Sequence, residues 1–302
     1  MRKSPQILIT GGTGLLGKTL FETAPADWNV TATHHKSLPP SEWRNRFLPM
    51  ELCDPVSVDE VFRRTRPEIV IHTASVGSVD EAELHPERVR QVNVEGARRV
   101  GEACQRARSF LITISSNAVF DGNLPPYSEG SPTRAMSRYG RFKIEIEEWA
   151  KQSGLDHLIV RPILIYGWPL PGGRGNAVTR WLEDMERGKP VRVAADITSM
   201  PLLAADCAKA IWKAAQQKLQ GILHLAGPDR ISLAEFARLT ARTFGCAESL
   251  VLPVPSSQLG LAAERPKDTS FVTRRMQSEL GLRTLNAAEG LAFMLRCRTA
   301  VY

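Results

Sequence analysis

The chain has 302 residues, 43% of them hydrophobic, which is enough to bury a large core, and a formal net charge of +7. Its 39 lysines and arginines are scattered rather than gathered into a run, so the basic excess suits phosphorylated small molecules and not nucleic acid. No apolar run approaches a membrane span and Met1-Arg-Lys leads directly into the first strand. The five cysteines show neither CxxC pairing nor a fixed interval with histidines, so a soluble cytoplasmic chain with free thiols, no signal peptide and no metal is expected.

The first predicted strand is the apolar run Ile7-Leu-Ile-Thr10. It ends in glycines spaced three apart, Gly11, Gly14 and Gly17, with Thr13, Leu15 and Leu16 between them. Glycine suits positive φ, close approach to a pyrophosphate and tight packing of helix on strand, and the helix N-terminus offers N–H groups to phosphates. A helix follows over 15–22 and a second strand over 28–33. After that strand comes His34-His35-Lys36, where an acidic residue would hold adenosine ribose hydroxyls in a dinucleotide fold. Cationic residues there point to a 2′-phosphate, so NADP(H) is expected in preference to NAD(H). A third strand is predicted over 46–54, closed by Asp54-Pro55 as an N-cap with proline at the first helical position; Asp54 is also a candidate adenine contact. The fourth strand, 66–74, is β-branched as a sheet covered on both faces requires, and Ala74 and Ser75 at its end are expected against the cofactor. A long helix is predicted over 86–107.

The fifth strand, 110–116, delivers Ser115 and Ser116 to the carboxyl edge of the sheet, where ligands bind in open α/β folds. A proline- and glycine-rich loop leads to a helix starting near 137, in which Tyr139 and Lys143, four apart, share a face. A sixth strand runs over 158–162. Beyond it the rhythm breaks: 163–202 is rich in glycine, proline and tryptophan with a helix near 177–187. A helix over 203–216 and a late strand over 221–226 rejoin the sheet, and further helices fall near 233–244, 272–280 and 287–295. The expected fold is α/β, a doubly wound, mainly parallel Rossmann sheet with a smaller mixed substrate domain. Residues 1–162 with about 203–227 form the dinucleotide-binding part, and about 163–202 with 228–302 form the substrate part.

Ser116, Tyr139 and Lys143 are what a carbonyl reductase using a nicotinamide requires. The phenol trades a proton with the substrate oxygen while hydride moves at carbon. Bringing a tyrosine of ordinary pKa about 10 down to neutrality takes about 4 kcal/mol. An ammonium about 4 Å away at an effective dielectric of about 20 supplies a comparable amount, and a serine hydroxyl orients the carbonyl.

Six segments then resemble one family: Thr10-Gly-Gly-Thr-Gly-Leu-Leu-Gly17, Gln91-Val-Asn93-Val-Glu-Gly96, Ile114-Ser-Ser-Asn-Ala-Val-Phe-Asp-Gly122, Tyr139-Gly-Arg-Phe-Lys143, Arg161-Pro-Ile-Leu-Ile-Tyr-Gly167 and Glu264-Arg-Pro-Lys-Asp268. They are similar to the extended short-chain dehydrogenase/reductases, and within these to the dTDP-4-dehydrorhamnose reductase family, whose relatives include a regulatory subunit of methionine adenosyltransferase. The resemblance spans nearly the whole chain. It implies Ser116 as catalytic hydroxyl, Tyr139 as acid/base and Lys143 as its partner on the nicotinamide ribose. It also implies Asn93 as a support of the site and Arg161, Pro162 and Ile163 beside the nicotinamide. The reaction it implies is reduction of a keto group on a nucleotide sugar or other phosphorylated sugar. A nucleotide-sugar epimerase or dehydratase and a non-catalytic cofactor-binding subunit stand as alternatives, as does a homodimer. Where the family usually reads Ser-Thr-Asp-Tyr-Val-Phe, this chain has Ser115-Ser116-Asn117-Ala118-Val119-Phe120, which points to a different sugar. Asn117, Arg174, Asn176, Arg180 and Arg265 are expected on the substrate side, guanidinium forks being suited to diphosphates.

Overall fold

The apolar run that opens the chain forms β1 (Gln6–Thr10), and alternation of its side chains explains the layers on either side of it. Ile7 and Ile9 enter one cluster with Leu20, Ile211 and Trp212 from helices Leu15–Glu22 and Ala204–Gln217. Leu8 enters another with Val58, Phe62 and Val100 from helices Pro55–Thr65 and Ala97–Ala107. The computed structural model describes residues 4–298 and builds one parallel sheet from β1, β2 (Asn29–His34), β3 (Phe47–Pro49), β4 (Ile69–His72), β5 (Phe110–Ile114), β6 (His157–Pro162) and β7 (Gly221–Leu225). The order is β3-β2-β1-β4-β5-β6-β7, so the chain reverses direction across the sheet between β1 and β4. In such sheets the crevice beyond the carboxyl ends at that reversal is where ligands sit. No helix among the described residues is long and apolar enough to cross a membrane.

Three predicted features differ. The strand expected over 46–54 shrinks to Phe47–Pro49 at the sheet edge, because Ser41–Arg46 winds into a 3-10 turn and Pro49 has no N–H to continue a ladder. The helix over 86–107 is continuous in path but carries a π-helical turn, Gln91–Gly96, between Pro86–Arg90 and Ala97–Ala107. After Pro162 the chain also makes short strands that the composition hid. Val191–Ala194 pairs in parallel with Val251–Val254, and Ile165–Tyr166 with Leu202–Leu203, while Thr198–Ser199 meets Ile231–Ser232 antiparallel. Two- to four-residue strands show no period, and Pro253 inside one of them argues against a strand by itself. These pieces and helices Ala177–Glu186, Leu233–Phe244 and Ala287–Arg298 enclose a separate apolar cluster around Tyr166, Leu182, Phe236 and Leu291.

Two histidines lie inside the sheet. His72 ends β4 with Nδ1 2.7 Å from the Thr10 hydroxyl, and His224 in β7 stacks on Phe271 at 3.9 Å. Burial drives His72 down to about 3, with the Lys143 ammonium adding to it, and burial and the Arg161 guanidinium do the same to His224, also to about 3. Folded protein therefore keeps both neutral where unfolded chain, titrating near the ordinary 6.5, takes up protons. Stability is retained above about 6.5 and lost as pH falls toward 3. Between pH 7 and 5 each histidine should remove about 2 kcal/mol. Urea melts of the parent and of His72→Gln should show the variant losing about 2 kcal/mol less over that interval; equal losses would contradict the assignment.

Candidate active site

Two clefts open on the carboxyl edge and meet at Val76 and Gly77, which line one each. The first, about 480 Å³, follows the glycine turn and is lined by Gly11, Thr13, Gly14, His34, His35, Lys36, Ala74 and Ser75 among others. Gly11 has φ +72°, and a Cβ there would stand 2.7 Å from the Ala74 Cα. At Gly17 a Cβ would lie 2.2 Å from the Gly11 carbonyl oxygen, so the helix beginning at Leu15 abuts the turn only because that atom is missing. The first-turn N–H groups of Leu15, Leu16 and Gly17 have no acceptor within their own helix. They and the helix dipole form an anion cradle. The Leu16 side chain itself belongs to the core. This geometry fits a dinucleotide pyrophosphate. At the far end His35 Nε2 lies 2.7 Å from Glu51 Oε2. Glu51 is a carboxylate that reading the end of β2 missed, since it arrives from the loop after β3.

Asp54 takes the other role considered for it. Its carboxylate accepts from Val56 N at 2.9 Å as the cap of helix Pro55–Thr65, and it faces a neighbouring hollow rather than this cleft. Asn93, in the π-helical turn, accepts from Val76 N (2.7 Å) and donates to Val76 O (3.0 Å). It thereby pins the segment where the two clefts meet.

The second cleft, about 740 Å³, holds Ser116, Asn117, Tyr139, Arg180 and Arg265, and also Trp181 and Arg192. Tyr139 and Lys143 project from helix Arg138–Gln152, whose N-cap Ser137 accepts from Gly140 N. Lys143 Nζ donates to the Ile114 carbonyl at 2.8 Å and lies 5.6 Å from the centre of the Tyr139 ring. Ser116 Oγ accepts from Ala118 N at 3.1 Å and donates to Asn117 Oδ1 at 3.3 Å. Burial pushes the phenol up to about 12, against Ser116 and the Arg174 guanidinium, which pull it down. This reverses the direction expected from the sequence: the ammonium sits over the ring face and not beside the oxygen, so desolvation prevails. Burial likewise lowers Lys143 to about 8, with Glu147 opposing.

Other expected residues are placed differently. Ser115 and Arg161 turn into the core, where both donate to Glu147, and the Arg161 guanidinium is 1% exposed. Arg161 thus neutralises a buried carboxylate and does not line the cleft. Ile163 packs in the apolar cluster around Phe120, and Pro162 closes β6, so only their backbone can approach a ligand. Asn176 is the cap of helix Ala177–Glu186, its amide donating to Gly167 O at 2.7 Å; its polar atoms serve the fold. Asn117 donates to the Thr269 hydroxyl at 2.6 Å. Arg265 is ion-paired with Asp80 (2.7 Å), a partner the sequence did not suggest, and donates to Ala263 O. Arg174 is exposed, with Nη1 3.2 Å from where a Cβ on Gly77 would lie, at the junction of the clefts.

The family model described as RmlD substrate binding domain matches residues 5–299. A solved dTDP-4-dehydrorhamnose reductase from Bacillus anthracis str. Ames, in complex with NADP, superposes with a TM-score of 0.86 at 27% identity, covering 97% of this chain and 99% of that one. Among curated relatives, a spore coat polysaccharide biosynthesis protein, SpsK, of Bacillus subtilis (strain 168) is 28% identical over 297 residues, 98% of each chain. Methionine adenosyltransferase 2 subunit beta of Bos taurus is 26% identical over 287 residues, 92% of this chain and 84% of the relative.

The close approach at Gly17 is open to a direct test. Gly17→Ala should destabilise the protein by about 1–3 kcal/mol, whereas Gly130→Ala, where a Cβ would meet nothing within 4 Å, should change little. Denaturant melts that find the two variants alike would contradict the described packing.

Proposed function

The chain belongs to the RmlD substrate-binding-domain family, and from that premise we propose that it reduces a keto group of a nucleotide sugar, with Tyr139 as the proton donor and NADPH as the preferred reductant. The observation that carries this reading is the convergence of Ser116, Tyr139 and Lys143 next to a glycine-turn cradle shaped for a pyrophosphate. A reduced nicotinamide bound in that cradle supplies the hydride. Tyr139 is protonated across the physiological range, as an acid for a developing alkoxide must be, and Ser116 offers the hydroxyl that orients the carbonyl. Lys143, anchored on Ile114 O, holds a positive charge beneath the ring below pH about 8. His34 and Lys36 line the adenosine end of the cleft and favour a 2′-phosphate, while His35 is paired there with Glu51. The larger cleft takes the sugar nucleotide. Arg265 is held by Asp80, so Arg180 on the cleft wall and Arg174 at its mouth are the arginines assigned to the diphosphate.

A second reading follows from the relatives named as a subunit of methionine adenosyltransferase: a binding subunit that has kept the fold. An assembled Ser-Tyr-Lys group favours the enzyme. Turnover of a panel of keto-sugar nucleotides, followed by NADPH oxidation, distinguishes the two. Tyr139→Phe should lower kcat by 10²–10⁴-fold, on the order expected for a general acid, while cofactor affinity stays within about threefold. A panel with no turnover, or a variant as active as the parent, would sink the reductase reading. For the cofactor, Lys36→Ala should weaken NADPH binding about tenfold at low salt, less at high salt, and leave NADH unaffected. Equal effects on both would show that this loop does not meet the 2′-phosphate.

A further inference from the structure

Helix Arg138–Gln152 grips the end of β5 twice in succession. Lys143 takes the carbonyl of Ile114, and Glu147, one turn later, takes the hydroxyl of Ser115. The residue that follows is Ser116. We infer that Glu147 is a positioning residue for the proposed reductase site: with Lys143 it clamps the strand end that presents Ser116 to Tyr139. This inference rests on the reading of Ser116, Tyr139 and Lys143 given above, and it assigns a function to a group two helical turns from the phenol.

Glu147 is fully buried, and a lone carboxylate there would be very costly. It is compensated from two directions. Arg161 in β6 donates to it through both Nε, at 2.9 Å, and Nη2, while Ser115, just past the end of β5, donates as well. The third guanidinium nitrogen, Nη1, lies 3.3 Å from His224 Nε2 in β7, and the guanidinium rests 5.2 Å above the Phe120 ring. Since arginine only donates, His224 Nε2 accepts and the ring is neutral. Directly and through Arg161, one carboxylate therefore ties the helix bearing Tyr139 and Lys143 to the ends of β5 and β6 and to β7.

The groups facing Lys143 are few. Tyr139 and Glu147 share its helix, His72 reaches it from β4 and the Ile114 carbonyl comes from β5. His72 and the phenol are uncharged near neutral pH, so Glu147 is the anion opposing the desolvation of Lys143. A helix-stabilising side chain would act on folding alone. A positioning carboxylate acts on the titration of Lys143 and on kcat.

The test uses Glu147→Gln and, because that change leaves Arg161 without its anion, the neutral pair Glu147→Gln/Arg161→Met. Lys143 is followed by NMR of protein carrying ¹³Cε-lysine, its signal assigned from Lys143→Met. Both variants should titrate at lower pH than the parent, the single variant by more, and in turnover kcat should fall at least tenfold with KM nearly unchanged, the alkaline loss of activity moving to lower pH. Glu147→Asp, which restores the charge one methylene short, should return the titration toward the parent but not kcat. A Lys143 titration unmoved in both variants overturns the inference even in an active reductase. A shifted titration in a protein that turns over no keto-sugar nucleotide upholds the clamp and overturns the function.

Discussion

A carboxylate with no exposure to water has to be neutralised, and the way this chain neutralises Glu147 organises its active edge. Arg161 supplies two donors, Ser115 a third, and these come from adjacent strands at the same level of the sheet. The desolvation cost of such a pair rarely makes it a source of stability, so a geometric role is the better reason for its presence. Its position fits: one turn above it Lys143 is bonded to Ile114, and two turns above it lies the phenol. The apolar sheet behind these residues fixes the strand ends from which they project.

Much of the fold was legible because its signals are long or periodic. Strands β1, β4, β5, β6 and β7 are mostly apolar, as strands covered on both faces must be, with Arg161 and His224 as buried exceptions. The glycine spacing also carried its meaning, since Gly11 and Gly17 stand where an added carbon meets backbone. Less legible were elements made by pairing at a distance. Val191–Ala194 and Val251–Val254 are strands only because each finds the other across about 60 intervening residues, and neither sequence announces it.

At the site the limits are of another kind. Residue type and spacing placed Ser116, Tyr139 and Lys143 on one edge, but spacing cannot say which way a guanidinium turns. Arg161 reads as a cleft residue and is a buried counter-charge; Asn176 reads as a ligand donor and is a helix cap; Arg265 reads as free and is held by Asp80. Each is a polar group claimed by a partner elsewhere in the fold, and for Arg265 that partner is 185 residues away. Glu147 was overlooked for the same reason, since a helix glutamate is ordinarily solvated. The protonation of Tyr139 was the largest reversal. A ring above an ammonium does not place the oxygen beside it, and burial leaves the phenol an acid.

That acid, poised beside a dinucleotide cradle, is the centre of the account, and in the proposed reduction the hydride leaves the cofactor for good. Incubation with NADPH deuterated at the transferable position and a keto-sugar nucleotide, followed by mass spectrometry of the sugar, measures this directly. The account predicts one deuterium in the product for each NADPH oxidised. Product with no deuterium, formed without net consumption of NADPH, would contradict it.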